Sequence, residues 1–255
     1  MSAETWLRLA LVPAAVWLAS LAARRWGHAI SGSLGGLPLI AGPITLFLAL
    51  DMGPAFAARS ALFTLAVVVA QACHLLAFSH VSRRRGWLVS LLAGWASFAL
   101  VSMVVAQMPM RAPLAAALAA AGLAGALIWL PRPAGRAPLP VIPAMEMRLR
   151  LVAAFALAGL ILWSAPAFGP AVSGILLSLP ITGSIMPPFT LAFYGADEVA
   201  RLARGFVVGL TGFSTFFLVV ALAVMPWGIP VAFAAAALGA MVAALAVNAA
   251  ISRNA

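Results

Sequence analysis

Residues 31–53 read SGSLGGLPLIAGPITLFLALDMG and residues 173–195 read SGILLSLPITGSIMPPFTLAFYG. Each stretch begins Ser-Gly (Ser31-Gly32, Ser173-Gly174), carries proline at its eighth position (Pro38, Pro180) and closes on glycine (Gly53, Gly195). Each is also long and apolar enough to cross a bilayer core of about 30 Å. Proline inside a helix removes a backbone hydrogen bond and crowds the preceding turn, so the middle of each stretch is expected to kink or unwind. In hydrocarbon the freed backbone groups need protein or cavity water as partners, so such segments line a packed interface or a wet cavity. A broken helix also aims the partial charges of its half-helix ends at the membrane midplane, where a polar solute can be held. Close packing through small residues is the competing reading.

The two stretches are parts of a longer repeat at a constant offset of 142 residues. Leu7-Arg8-Leu9 returns as Leu149-Arg150-Leu151, and Gly27 returns as Gly169. Leu34, Leu37, Phe47, Ala58 and Arg59 return as Leu176, Leu179, Phe189, Ala200 and Arg201, with no insertion or deletion. A shared register of this length implies one structural unit used twice, a common construction among transporters. Duplication kept only for packing is the alternative.

Composition sets the class. Of 255 residues, 65% are apolar and 8% charged, which places the chain among polytopic membrane proteins. The net charge of +10 comes from 15 arginines without one lysine, and these sit in short loops rather than in a basic stripe. Membrane orientation accounts for them, and no nucleic-acid partner is expected. Cys73 is the single cysteine, so no internal disulfide or cysteine-based metal cluster can form.

Nine spans are expected, at 5–23, 29–50, 57–79, 86–106, 113–130, 149–166, 169–193, 199–224 and 227–250. The first has the look of a signal peptide, but its repeat partner at 149–166 is internal, which favours a helix of the fold. In this arrangement twelve arginines lie on one side: Arg24, Arg25, Arg83 to Arg85, Arg132, Arg136, Arg148, Arg150, Arg201, Arg204 and Arg253. Arg8, Arg59 and Arg111 lie on the other, so the positive-inside rule puts the amino terminus outside and the carboxyl terminus in the cytoplasm. Four spans per copy plus one linking span make the repeat inverted. The expected fold is therefore an all-α polytopic membrane protein of two inverted four-helix repeats plus a linking helix. Its parts are repeat 1 at 1–110, the linking helix and Pro/Arg-rich cytoplasmic loop at 111–147, and repeat 2 at 148–255.

The candidate solute-binding residues are Ser31, Gly32, Pro38, Gly42, Pro43, Ser173, Gly174, Pro180, Thr182 and Ser184, all within the paired proline stretches. Arg59 and Arg201 open the span that follows each stretch, and Arg8 and Arg150 open the first span of each copy. A guanidinium offers planar, charge-assisted hydrogen bonds to carboxylate or phosphate, so these four are candidate gates or anion contacts, with interfacial snorkelling as the bland reading. His74 is a candidate proton carrier, although its counterpart is Phe216. No HExxH, no phosphate-binding loop and no metal-ligand spacing occurs, so neither an enzyme nor a cofactor is expected.

The run from Pro38 to Gly53 followed by Arg59, matched by Pro180 to Gly195 followed by Arg201, resembles uncharacterised two-repeat inner-membrane proteins of proteobacteria over most of the chain. Each half is also similar to the small GlpM-type membrane proteins. Neither resemblance implies a substrate. Abundant alanine and the lack of lysine fit a GC-rich bacterial genome and a bacterial inner membrane. The expected function is a secondary transporter or exporter of a small polar or anionic solute, including a lipid head group. The alternative is a non-transporting scaffold or assembly subunit. The bilayer and a small solute are the expected partners, and homo-oligomer formation is left open.

Overall fold

The computed structural model describes residues 3–134, 144–145, 147–149, 151–152, 155–156 and 178–253. Among the described residues nine α-helices are delimited and no strand occurs. They are α1 (Ala3–Trp26), α2 (His28–Gly36), α3 (Ala41–Met52), α4 (Pro54–Ala66), α5 (Val68–Val81), α6 (Trp87–Ala106), α7 (Ala112–Trp129), α8 (Ile181–Tyr194) and α9 (Ala196–Arg253). Among the described residues five stretches are long and apolar enough to cross a membrane: His28–Met52, Pro54–Val81, Trp87–Ala106, Ala112–Trp129 and Ala196–Ala250. The last is 55 residues long. Straight, it would reach about 80 Å. It is instead broken at Gly228 (φ 73°, ψ 167°), which folds α9 into two antiparallel arms, with Gly212 against Ala240 and Gly239 against Thr215.

The expected spans at 86–106 and 113–130 thus correspond to α6 and α7, and those at 199–224 and 227–250 to the two arms of α9. The span at 29–50 is two helices, α2 and α3. Most of 149–166 and the first part of 169–193 lie outside the described residues, as do Arg150, Ser173 and Gly174.

The apolar side chains face two ways. Alanines at 57, 61, 115, 119 and 126 are buried, where their small size lets helices approach closely. Large apolar residues such as Leu92, Leu100, Ile128, Leu238 and Leu245 are exposed, the reverse of a soluble core and the arrangement a lipid solvent requires. Trp26, Trp87, Trp129 and Trp227 are exposed at helix ends, where amphipathic indoles sit at the membrane–water boundary.

Helix boundaries obey the sequence offset. Met52 and Tyr194, the last residues of α3 and α8, are 142 apart, and so are Pro54 and Ala196, the first residues of α4 and α9. Between them Gly53 and Gly195 adopt φ of 88° and 85°, a region that Cβ-bearing residues rarely enter. Gly86, just before α6, is matched by Gly228 between the arms of α9.

The two halves interlock through backbone. Gly32 and Gly36 of α2 face Gly205 and Gly209 of α9, two small-xxx-small patterns in mutual contact. A Cβ on Gly32 would strike the Leu202 carbonyl oxygen, and one on Gly205 would strike that of Ala29. Contacts advance together along both chains, from Ala29 beside Gly205 to Gly36 beside Leu210 and Gly42 beside the Phe216 ring. The α2–α3 stretch therefore runs parallel to the first arm of α9. Because α4 returns from the Gly53 turn at the far end, α4 and the first arm of α9 start at opposite ends of the molecule.

Candidate functional site

The α2–α3 break spans Leu37 to Ile40. Leu37 is extended (φ −71°, ψ 157°), and the Leu39 amide donates to the Leu37 carbonyl at 2.8 Å, a tight three-residue turn centred on Pro38. The same turn stands at the start of α8, where the Ile181 amide donates to the Leu179 carbonyl at 2.7 Å across Pro180 (φ −76°, ψ 62°). Proline suits the centre of this turn because its φ is already fixed near −65° and no N–H is left unsatisfied.

These two turns and the start of α8 meet α5 and α9 around a cavity of about 60 Å³. Four pairs of its lining residues are 142 apart: Leu37 and Leu179, Ile40 and Thr182, Ala41 and Gly183, Gln71 and Phe213. The cavity therefore straddles the relation between the two copies. Three helix ends reach it, namely the carboxyl end of α2 (Gly35, Gly36) and the first residues of α3 (Ala41) and α8 (Ile181 to Gly183). Neither Arg, Asp, Glu nor Lys is among the described lining residues. Polar chemistry is supplied by Gln71, Thr182 and the helix-end backbone.

Gln71 is 7% exposed; its Nε2 donates to the Ser178 carbonyl at 2.6 Å, while Oε1 has no hydrogen-bond partner among the described residues. His74, one turn on, is fully buried, with Nε2 3.4 Å from the Gly183 carbonyl. Pro187, four residues beyond Gly183, has no N–H to give that carbonyl, so the imidazole takes the place of a missing helix bond. Gly94 of α6 leaves room for the ring, which packs edge-on against Trp95.

The candidate residues separate on inspection. Pro180 and Thr182 line the cavity. Pro38, Gly42 and Pro43 line an adjoining apolar groove of about 410 Å³, walled also by Leu46, Phe216, Phe233 and Met241. In the other half Trp95 stands at the place of Ala237 and Phe98 at that of Ala240, and the two rings pack edge-on. Ser31 and Gly32 are buried between α2 and its neighbours, Ser31 against the Met186 sulfur, and Ser184 donates to the Pro180 carbonyl within its own helix. No protein-family model, curated protein or solved structure matches this chain.

The paired arginines sit in unlike surroundings. Arg59 is exposed at the start of α4. Arg201 is partly buried, pairs with Glu198 and donates to the Ala134 carbonyl. Glu198 in turn accepts from or pairs with His28 Nδ1 at 2.8 Å, joining α2 to α9. Around this pair Arg204 donates to Leu130 and Pro131, Arg83 donates to Arg132, and His80 contacts the Trp129 carbonyl, so cationic and polar donors satisfy the carboxyl end of α7. Arg8 belongs to α1. Sequence reading did not pick out Gln71 or the His28–Glu198 pair as site residues; for Gln71 the signal was a polar residue whose repeat partner, Phe213, is apolar.

Proposed function

We propose that the chain is a secondary transporter or exporter of a small polar solute, working by alternating access between two inverted repeats in a bacterial inner membrane. The observation that carries this reading is the cavity at the meeting of the two proline turns, lined by residue pairs 142 apart. Reciprocal contacts support it: Gly36 packs on the Phe206 backbone, and its counterpart Ser178 donates to the backbone of Thr64, the counterpart of Phe206. Such an exchange of contacts is the mark of two units related by a two-fold axis. The opposite starting ends of α4 and α9 agree with an axis in the membrane plane, hence with inversion.

Nine spans, an outside amino terminus and a cytoplasmic carboxyl terminus belong to the same proposal. Residues 80–85, 129–134 and 197–204 lie together at one end, linked by Arg83, Arg201 and Arg204, as the arginine bias requires of cytoplasmic loops. The scaffold alternative draws on the apolar groove beside Pro38, which would suit a lipid chain or a partner helix.

Site accessibility tests the two readings. With Cys73 replaced by Ser, cysteines at Ala41 and Thr182 are probed with an impermeant thiol reagent in right-side-out and inside-out vesicles. Alternating access expects both positions to label from both faces. Labelling from neither face would favour the scaffold.

A further inference from the structure

We infer that the solute held in this cavity is a small zwitterion, a compact molecule bearing one carboxylate and one ammonium group. The inference rests on the transport reading for the site's purpose, but the chemistry is argued from the walls alone. In the first turns of α3 and α8 the Gly42, Ile44 and Ile181 amides already donate to Pro38, Ile40 and Leu179, which leaves those of Ala41, Thr182 and Gly183 at the cavity, with the partial positive charge of two helix starts, as a setting for a carboxylate. The carboxyl end of α2 lines the same cavity; the Leu37 amide caps the Leu34 carbonyl, while the carbonyls of Gly35 and Gly36 lack intrahelical donors and present partial negative charge. A second, independent observation falls on the same cavity. Gln71 is nine-tenths buried and its Oε1 accepts no hydrogen bond among the described residues. A buried acceptor left unsatisfied is costly, and an ammonium donor would relieve it.

Charge balance separates a zwitterion from a simple anion or cation. No ionised side chain lines the cavity among the described residues, so a solute with net charge would meet no counter-ion in a low-dielectric surrounding. A molecule with both charges and none in sum needs only oriented dipoles at its two ends, which is what the three helix termini and Gln71 supply. The small volume restricts the rest of the solute to a few heavy atoms, against apolar Phe206, Leu210 and Phe213.

The test uses the full-length protein in lipid nanodiscs, with binding read by calorimetry and by thermal shift. The probes are glycine, L-alanine, acetate and methylammonium at equal concentration, with L-tryptophan as the oversized zwitterion. Glycine or alanine should bind at least tenfold tighter than acetate or methylammonium, and tryptophan should not bind. In Gln71→Leu, glycine affinity should fall at least tenfold; Thr182→Val, which keeps the Gln71–Ser178 bond, gives a second variant if Gln71→Leu does not fold. Acetate binding as tightly as glycine would make this an anion site and overturn the inference, as would methylammonium binding alone or no binding by any probe. Glycine uptake into proteoliposomes is measured separately. Binding without uptake would leave the zwitterion site standing and sink transport, whereas transport of some other solute by a protein that binds no zwitterion would do the reverse.

Discussion

At Gly32, Gly36, Gly205 and Gly209 a single added carbon would meet backbone atoms of the opposite helix, which cannot rotate aside as a side chain can. Gly205→Val should therefore cost at least the roughly 1–3 kcal/mol of an overpacked core, seen as a lower melting temperature in detergent. Gly86→Ala serves as the control, since nothing stands within 4 Å of its Cβ position and its φ of −69° is open to any residue. The two repeat-related arginines should differ in the same assay. Arg201→Gln breaks a partly buried pair with Glu198 and a bond to Ala134 and should lose about 1–3 kcal/mol, while Arg59→Gln, at an exposed site, should melt as the wild type does. Equal losses from both would mean that Arg59 also holds the fold together.

Among the elements, the two proline turns carry the argument for function. Each combines a residue without an N–H and a three-residue turn that leaves neighbouring helix ends open. Replacing Pro38 with Ala restores the donor and lifts the steric bar on helix, so α2 and α3 are expected to join. Amide exchange of residues 37–41 should slow, the protein should remain folded, and binding or transport should weaken. Faster exchange together with loss of folded protein would instead assign the turn a packing role. Within α8, Pro187→Ala should return an amide to the Gly183 carbonyl and release His74 from that contact. Imidazole resonances of His74 should shift in NMR, and an unchanged spectrum would show that its position is set by Gly94 and Trp95 instead.

For the whole molecule, the link between halves at the arginine-rich end is the chain His28, Glu198, Arg201 and Ala134. Its repeat counterpart keeps the arginine, Arg59, but lacks its partners, since Pro170 and Phe56 stand at the positions matching His28 and Glu198. This charged latch is thus not repeated through the 142-residue register. Glu198→Gln should weaken the latch, so that a cysteine at Thr182 labels faster from the face that holds the arginine-rich end. No change in labelling from either face would show that the cluster only caps α7. Orientation is checked by single cysteines at residues 80–85 and 51–56, which should react from the cytoplasm and from outside respectively.

Composition and the 142-residue register were enough to read an all-helical membrane chain, the short connections that hold Gly53 and Gly195, and the prolines that interrupt it, because each is a local property of backbone and solvent; that these glycines adopt positive φ came from the structure. The register did not reveal which copy faces which. That depends on Gly32 and Gly36 meeting Gly205 and Gly209, residues about 170 positions apart that have no local reason to be neighbours. Likewise Ser31 and Gly32 share the sequence signature of the cavity-lining residues yet serve packing, whereas Gln71 joined the cavity only because α5 crosses beside Ser178 and Thr182. Span positions follow from local hydropathy, but a site between helices is made by which faces touch, and tertiary packing alone decides that.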